Sequence, residues 1–336
     1  MKAYIQAISY HLPERVFTND DFFSLFPESL NHKSNLKKIG ISERRIAAPD
    51  ETASDLAVKA AEKLFAEHQI SPLHVDFILF CAQEFDYYTP TTACIIQSRL
   101  NIPTHCGAMD FNQGCTGYVY GLSLAKGFIE SMACRNVLLL TASTVTRKFH
   151  PRDRSSRFLF GDGAAATLIC TREKQGIGQF VFGTDGSRAD RIIIRDGGAR
   201  NPITEASFVD ISDEFGNTTN QASLYMNGAA IFNFGLKTVP TVITETLLKN
   251  NKSMEDIDMF VFHQANLFLI QTIAKKMNIP DQKIFNFVET VGNTVSSTIP
   301  IVLAEGLKCG KIRQGYTVLV CGFGTGLSWA ATCIEL

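Results

Sequence analysis

Cys115 is the residue of this sequence whose surroundings best suit a nucleophile. It lies in FNQGCTGYVY, between a Gly-containing turn and the predicted first turn of a helix. A strand-turn-helix connection of this kind exposes a side chain and points free backbone N–H groups at it. An ordinary thiol is only slightly ionised at neutral pH, so a helix N-terminus or a protonated His nearby would increase its reactivity. A small, inert thiol buried at a tight turn is the alternative, and the local sequence leaves both open.

Two polar residues of the second half of the chain, His263 and Asn293, are candidates for the same site. His263 begins HQAN at the C-terminal end of a strand predicted over 257–262. Open α/β sheets bind their ligands at that end of the strands. Asn293 lies in the Gly turn of VGNTVSST. A His satisfied locally at a helix start and an Asn that only shapes a turn are the alternatives.

An internal repeat relates these three residues. The segment 75–81 matches 257–263 at an offset of 257 − 75 = 182, and Gly114-Cys115-Thr116 matches Gly292-Asn293-Thr294 at an offset of 292 − 114 = 178. The repeat aligns Cys115 with Asn293 and Cys81 with His263. Because equivalent turns of a pseudo-two-fold duplicate tend to meet at the shared interface, we expect Cys115, His263 and Asn293 to face one another.

The elements that must position these residues follow one order in both halves. An amphipathic helix (54–68; 239–250) precedes a buried strand, a helix ending near the tripeptide NIP, a second strand, a Gly turn, a helix (116–132; 294–308) and a third strand. Strands alternating with helices of this length indicate parallel sheets covered on both faces. We predict two copies of one α/β unit, 1–172 with the nucleophilic Cys and 173–336 with the His and the Asn.

The composition excludes several classes of protein. The 336 residues are 45% hydrophobic and carry 32 basic against 33 acidic side chains, so no global charge favours nucleic acid or an anionic membrane. Nine cysteines without a CxxC pair disfavour a disulfide framework and a structural zinc site. Neither a signal peptide nor a membrane-spanning stretch is visible, and we expect a cytoplasmic location.

Five motifs, in order over almost the whole chain, carry a resemblance to a known family. GCTGYVYGLSLA, FGDGAAATLI, HQANL, VGNTVSSTIP and GFGTGLSW closely resemble the β-ketoacyl-acyl-carrier-protein synthase III group of the thiolase superfamily. The resemblance implies a five-layered α-β-α-β-α fold of two duplicated halves, a homodimer, and a catalytic set of Cys115, His263 and Asn293. It also implies a decarboxylative condensation of an acyl thioester with malonyl-acyl-carrier protein in fatty acid or related acyl-chain biosynthesis.

The same resemblance implies a role for each of these residues. Cys115 attacks the acyl thioester, and the backbone N–H groups of Cys115 and Thr325 stabilise the oxyanion. His263 and Asn293 donate hydrogen bonds to the malonyl thioester while carbon dioxide leaves. Neither step needs a metal or redox cofactor. A thiolase would instead need a second Cys at the position of Gly322 and a His at that of Asn293.

The binding residues match the family less well. The usual Trp that stacks on the adenine of coenzyme A is missing near Ser34, and Phe268 replaces an Arg. Arg154 matches a phosphate-contacting position, and Phe323 is a further candidate for substrate binding. Lys275 and Lys276 form a basic pair that could meet an acidic carrier protein. Thr89 is the candidate for the floor of the acyl pocket across the dimer.

Two other functions stay open on the sequence. One is an acyltransferase of the same fold that passes an acyl group on without decarboxylation. The other is an inactive partner subunit of a heterodimeric synthase, although all three catalytic positions are filled. The chain length and branching of the primer, and whether it arrives on coenzyme A or on a carrier protein, are also open.

Overall fold

Two mixed β-sheets carry the candidate residues at the ends of their strands. The computed structural model describes residues 1–32, 37–174, 176–214 and 216–336. The strands, numbered along the chain, are β1 (Lys2–His11), β2 (Arg15–Thr18), β3 (Glu43–Ile46), β4 (Phe77–Cys81), β5 (Gly107–Phe111), β6 (Asn136–Ser143), β7 (Gly163–Arg172), β8 (Val181–Thr184), β9 (Ile192–Ile193), β10 (Ile211–Ser212), β11 (Thr218–Thr219), β12 (Tyr225–Met226), β13 (Met259–Phe262), β14 (Thr317–Gly324) and β15 (Ser328–Glu335).

Most of the helices begin at capping residues or at short 3₁₀ turns. Thr52 and Asn227, for example, accept the first free backbone N–H groups of their helices through their side chains. The α-helices are α1 (Asn19–Leu25), α2 (Ala53–Glu67), α3 (Thr92–Arg99), α4 (Gly117–Glu130), α5 (Gly228–Lys249), α6 (Leu267–Lys276), α7 (Val288–Val291) and α8 (Thr298–Lys308).

The two large sheets repeat one topology. The first has the order β1-β7-β6-β4-β5 and the second β13-β14-β15-β8. In both, a parallel pair (β4 with β6; β13 with β14) is followed by two antiparallel neighbours. The strand predicted after NIP is β5 in the first half. In the second half that strand is reduced to a single parallel bridge between Phe260 and Ile284, so the prediction of a full strand there is wrong.

Three apolar clusters pack the helices and the two large sheets into five layers. One cluster joins α4 and α8 to the facing sides of both sheets, whose residues include Leu79 and Val261. A second packs α2 and α3 on the outer side of the first sheet, and a third packs α5 and α6 on the outer side of the second. The predicted α-β-α-β-α fold is confirmed. The division at 172/173 falls between the end of β7 and the start of β8 and stays a prediction.

Several helix bounds differ from the sequence-based ones for local reasons. The helix predicted over 239–250 begins eleven residues earlier, at Gly228, because Asn227 caps it and Pro240 is accommodated inside it. The helices predicted from 116 and 294 begin at Gly117 and Thr298, each after a 3₁₀ turn. Within the described residues, no helix is both long and apolar enough to cross a membrane.

Candidate active site

One pocket of about 290 Å³ brings together Cys115, His263 and Asn293. The three residues come from three different places in the fold: the turn after β5, the end of β13 and the turn before α8. Phe268 and Phe323, two of the predicted substrate-binding residues, line the same pocket. The repeat therefore anticipated which residues share a cavity.

Tight backbone packing holds Cys115 in place. Gly114 has φ +45°, a conformation that favours Gly, and Cys115 follows it in a 3₁₀ turn that leads into α4. Gly324 of β14 passes so close that a Cβ there would lie 2.8 Å from the Cys115 Sγ. The sulfur is consequently confined between two glycine-containing segments.

The Cys115 thiol is buried and protonated at neutral pH. Burial raises its pKa to about 11, while hydrogen bonds from the backbone and side chain of Thr325 and from its own backbone act in the opposite direction. These N–H groups are the two that the family resemblance assigns to an oxyanion hole. Both backbone N–H groups point at the sulfur, beside which the carbonyl oxygen of a bound acyl group would develop negative charge.

His263 is neutral. Burial lowers its pKa to about 3, and a backbone hydrogen bond with Val295 opposes this only weakly. Its Nδ1 lies 2.8 Å from Thr298 Oγ1, and the edge of its ring faces Phe323 at a centroid distance of 5.7 Å. Of the two activating features considered for Cys115, a protonated His is therefore excluded, and converging backbone N–H groups are present.

Asn293 presents an amide N–H₂ group to the pocket. Its Oδ1 accepts a hydrogen bond from the Val295 N–H at 2.9 Å, which orients the side chain. Among the described residues, its Nδ2 has no hydrogen-bond partner, so both amide hydrogens are available to a ligand. The backbone is held by the Leu159 carbonyl, which accepts from the Asn293 N–H at 2.8 Å, and by Gly292 at φ +68°.

The other predicted binding residues lie outside this pocket or at its mouth. Phe268 is 46% exposed and stacks on Phe232 with ring centroids 5.5 Å apart. Arg154 forms an ion pair with Glu28 at 3.0 Å. The remaining candidates are exposed, two at the end of α6 and one in the loop before α3: Lys275, Lys276 and Thr89. Ser34 lies outside the described residues.

Sequence reasoning missed the residues that position His263. Thr298 contacts its Nδ1, and Val295 adopts φ +55°, which is unusual for a β-branched residue. A hydroxyl five residues after a turn Asn gives no signal by itself, because only the fold brings it to the end of β13. Within the described residues, no group of three or more His, Cys, Asp or Glu is arranged to bind a metal ion.

The second Cys of a thiolase has no room in this site. A Cβ at Gly322 would lie 3.0 Å from the backbone oxygen of Cys115 and from the Cα of Thr116. Cys321 is fully buried in β14 among the side chains packed on the outer side of the second sheet. The geometry thus disfavours a thiolase-type acid/base pair of cysteines.

Comparison with known proteins identifies the family. Residues 109–186 match the family model described as 3-oxoacyl-[acyl-carrier-protein (ACP)] synthase III, and residues 247–336 match the model of its C-terminal part. The β-ketoacyl-[acyl-carrier-protein] synthase III 2 of Halalkalibacterium halodurans is 37% identical over 99% of this chain and 96% of its own length. The chain belongs to the β-ketoacyl-acyl-carrier-protein synthase III family.

Solved structures of this family agree with the fold. A crystal structure of a 3-oxoacyl-(acyl-carrier-protein) synthase III is 47% identical and superposes with a TM-score of 0.98 over the full length of both chains. The β-ketoacyl-acyl-carrier-protein synthase III of Thermus thermophilus is 33% identical, with a TM-score of 0.87 over 99% of each chain. The predictions of a thiolase-like fold and of an acyltransferase of the condensing type in fatty acid biosynthesis are confirmed.

Proposed function

We propose that this synthase III carries its acyl intermediate on Cys115 and forms the carbon–carbon bond with the help of His263 and Asn293. The observation that supports this proposal is their shared pocket, in which the Cys115 thiol, with hydrogen bonds from two backbone N–H groups, shares one cavity with His263 and the free amide N–H₂ of Asn293. Splitting the condensation into two steps places one reactant before the other arrives.

The first step is acylation of Cys115. The sulfur attacks the thioester carbonyl of the primer, the N–H groups of Cys115 and Thr325 stabilise the oxyanion, and the primer's own thiol leaves with the proton of Cys115. The raised pKa of Cys115 keeps the resting enzyme in the thiol form. The sulfur becomes nucleophilic as it loses its proton to the leaving group or to solvent.

The second step is decarboxylation and condensation. Asn293 Nδ2 and His263 Nε2 donate to the malonyl thioester carbonyl, the bond to the carboxylate breaks, and the resulting enolate attacks the acyl carbonyl and releases the Cys115 thiolate. A neutral His donates from Nε2 only when its Nδ1 accepts. The Thr298 hydroxyl supplies that hydrogen bond at 2.8 Å when its hydrogen turns to Nδ1 from the Val295 carbonyl, its other acceptor, at 3.2 Å. Thr298 is thus a positioning residue.

The substrates and assembly follow the family. The chain is a homodimer that accepts a primer on coenzyme A or a carrier protein and malonyl groups on acyl-carrier protein, without a cofactor. The exposed Lys275 and Lys276 suit the acidic surface of a carrier protein. Phe268 in place of a basic residue removes one contact to a phosphate, so a coenzyme A primer binds less tightly than in relatives that keep the Arg.

The experiment is an acylation assay read by mass spectrometry. The enzyme is incubated with a panel of acyl-coenzyme A and acyl-carrier-protein thioesters, and adducts are located by intact mass and peptide mapping. We expect one acyl group on Cys115, none in Cys115→Ala, and an unchanged adduct in Cys94→Ala, which removes an exposed thiol of α3. An adduct elsewhere, or none with any donor, contradicts the proposal.

A further inference from the structure

A second cavity, of about 280 Å³, adjoins the pocket of Cys115. Ile192 lines both cavities, and Thr325, which hydrogen-bonds to the Cys115 thiol, lines the second. Val145 and Leu224 of its wall belong to the same apolar cluster as Cys115. An acyl group on the Cys115 sulfur can therefore extend into this cavity.

One wall of this cavity carries a carboxyl group. Glu84 follows β4, and its Oε2 accepts hydrogen bonds from the Ser143 hydroxyl and the Thr144 N–H, both at 3.3 Å. Among the described residues, its Oε1 has no hydrogen-bond partner. Glu84 and Cys115 each contribute to raising the pKa of the Cys81 thiol when ionised, so both lie near the same side chain.

The partners of Glu84 determine what its free oxygen can bind. Burial raises the pKa of Glu84 to about 7, so both protonation states are populated near neutrality. Since two donors occupy Oε2, a proton on this carboxyl sits on Oε1. An ionised Oε1 accepts a hydrogen bond and a protonated Oε1 donates one, and a hydroxyl group can serve as the partner in either case.

A purely hydrocarbon acyl chain packs poorly against the wall of the second cavity that carries Glu84. It would displace water from Glu84 and leave a carboxyl oxygen buried without a partner, which costs more than the hydrogen bond itself contributes. Three further polar side chains line the cavity, Gln83, Asn112 and Lys148, and the charge of Lys148 lowers the pKa of Glu84 against the larger effect of burial. The apolar side of the cavity, with Ile192, Ile193 and Ile194, suits the methylene groups of the same chain.

We propose that Glu84 is a specificity-determining residue and that the preferred primer is an acyl chain bearing a hydroxyl group that hydrogen-bonds to Glu84 Oε1. The proposal rests on the proposed function, since it requires an acyl group on Cys115. The polar end of the second cavity then binds the hydroxyl group of the primer, and the condensation steps are unchanged.

Paired thioesters that differ by one hydroxyl group test this proposal. The rates of Cys115 acylation are measured with butanoyl- and 3-hydroxybutanoyl-coenzyme A and with hexanoyl- and 6-hydroxyhexanoyl-coenzyme A. We expect the hydroxylated member of at least one pair to react about tenfold faster, the effect of one hydrogen bond to a partly buried carboxyl. Equal rates, or faster hydrocarbons, in both pairs overturn the proposal. No adduct with any donor overturns the proposed function instead.

Three variants assign the effect to Glu84. Glu84→Leu should abolish or reverse the preference, and Glu84→Gln, whose amide still pairs with a hydroxyl, should keep it to within about threefold. Glu62→Leu makes the same change on the exposed face of α2 and should keep the full preference. A preference that survives in Glu84→Leu contradicts the assignment. If Glu84→Leu fails to fold, the paired rates of the unmodified enzyme still decide whether hydroxylated primers are preferred.

Discussion

At the scale of single residues, the site depends on how little space surrounds Cys115. A Cβ at Gly324 would lie 2.8 Å from the Cys115 Sγ and one at Gly322 would lie 3.0 Å from the Cys115 oxygen, and Thr325 directs its N–H at the sulfur. The sequence predicted that Cys115, His263 and Asn293 share a pocket but could not predict these contacts. Contacts between a turn in the first half and a strand near the C-terminus exist only after the two sheets pack together.

The raised pKa of Cys115 predicts a strong dependence of its reactivity on pH. Only the thiolate is alkylated at a useful rate, so the reaction of Cys115 with iodoacetamide should accelerate about tenfold per pH unit from pH 7 to 10. Peptide mapping at each pH measures this rate for Cys115 separately from the exposed Cys94. A plateau below pH 8 contradicts the buried, protonated thiol.

Gly324→Ala should slow acylation by up to about 100-fold. The added Cβ would lie 2.8 Å from the Cys115 Sγ and must displace it, and a displacement of a reacting atom by a fraction of an ångström to 1 Å costs up to about 100-fold in rate. Gly127→Ala in α4 is the control, because nothing lies within 4 Å of its Cβ. Single-turnover acylation rates of both variants provide the comparison, and equal rates would falsify the confinement of the thiol.

Thr298→Val should separate the two chemical steps. Without the hydroxyl at Nδ1, His263 loses its fixed tautomer, so we expect acylation to persist and decarboxylation to fall about 10- to 100-fold. Thr298→Ser keeps the hydroxyl and should recover most of the activity. Equal losses of acylation and decarboxylation in Thr298→Val contradict this division.

At the scale of elements, the repeat is the feature that sequence captured best. Both NIP tripeptides follow a helix end, and their first residues, Asn101 and Asn278, take φ +53°. Both Gly turns lead through a 3₁₀ turn into a central helix. The missing counterpart of β5 was not predictable from local pattern. Whether a mostly apolar segment such as 284–287 forms a strand depends on its neighbours, and here a single bridge to β13 forms.

The turn before α8 is under stronger steric constraint than an ordinary loop. A Cβ at Gly292, at φ +68°, would lie 3.0 Å from the Leu159 oxygen, so Gly292→Ala should lower the free energy of unfolding by about 2–3 kcal/mol. Gly310→Ala shares the positive φ but meets nothing within 4 Å, and should cost about 1 kcal/mol. Urea unfolding of both variants measures the difference, and equal losses contradict the steric contribution.

At the scale of the whole molecule, the first sheet ends in an unpaired strand. Among the described residues, β5 pairs only with β4, and an open strand edge is a template for pairing with another chain. The proposed homodimer predicts that light scattering at micromolar concentration gives twice the mass of one chain. A monomeric mass contradicts it.

The central claim is that an acyl group on Cys115 is condensed with a malonyl unit as carbon dioxide leaves. The most direct measurement adds malonyl-acyl-carrier protein to enzyme already acylated on Cys115 and follows carbon dioxide and the carrier-bound product together. We expect one carbon dioxide and one 3-oxoacyl-carrier protein per acyl group lost from Cys115, with neither formed by His263→Ala or Asn293→Ala although both still acylate. An acyl group that leaves Cys115 without carbon dioxide would contradict it.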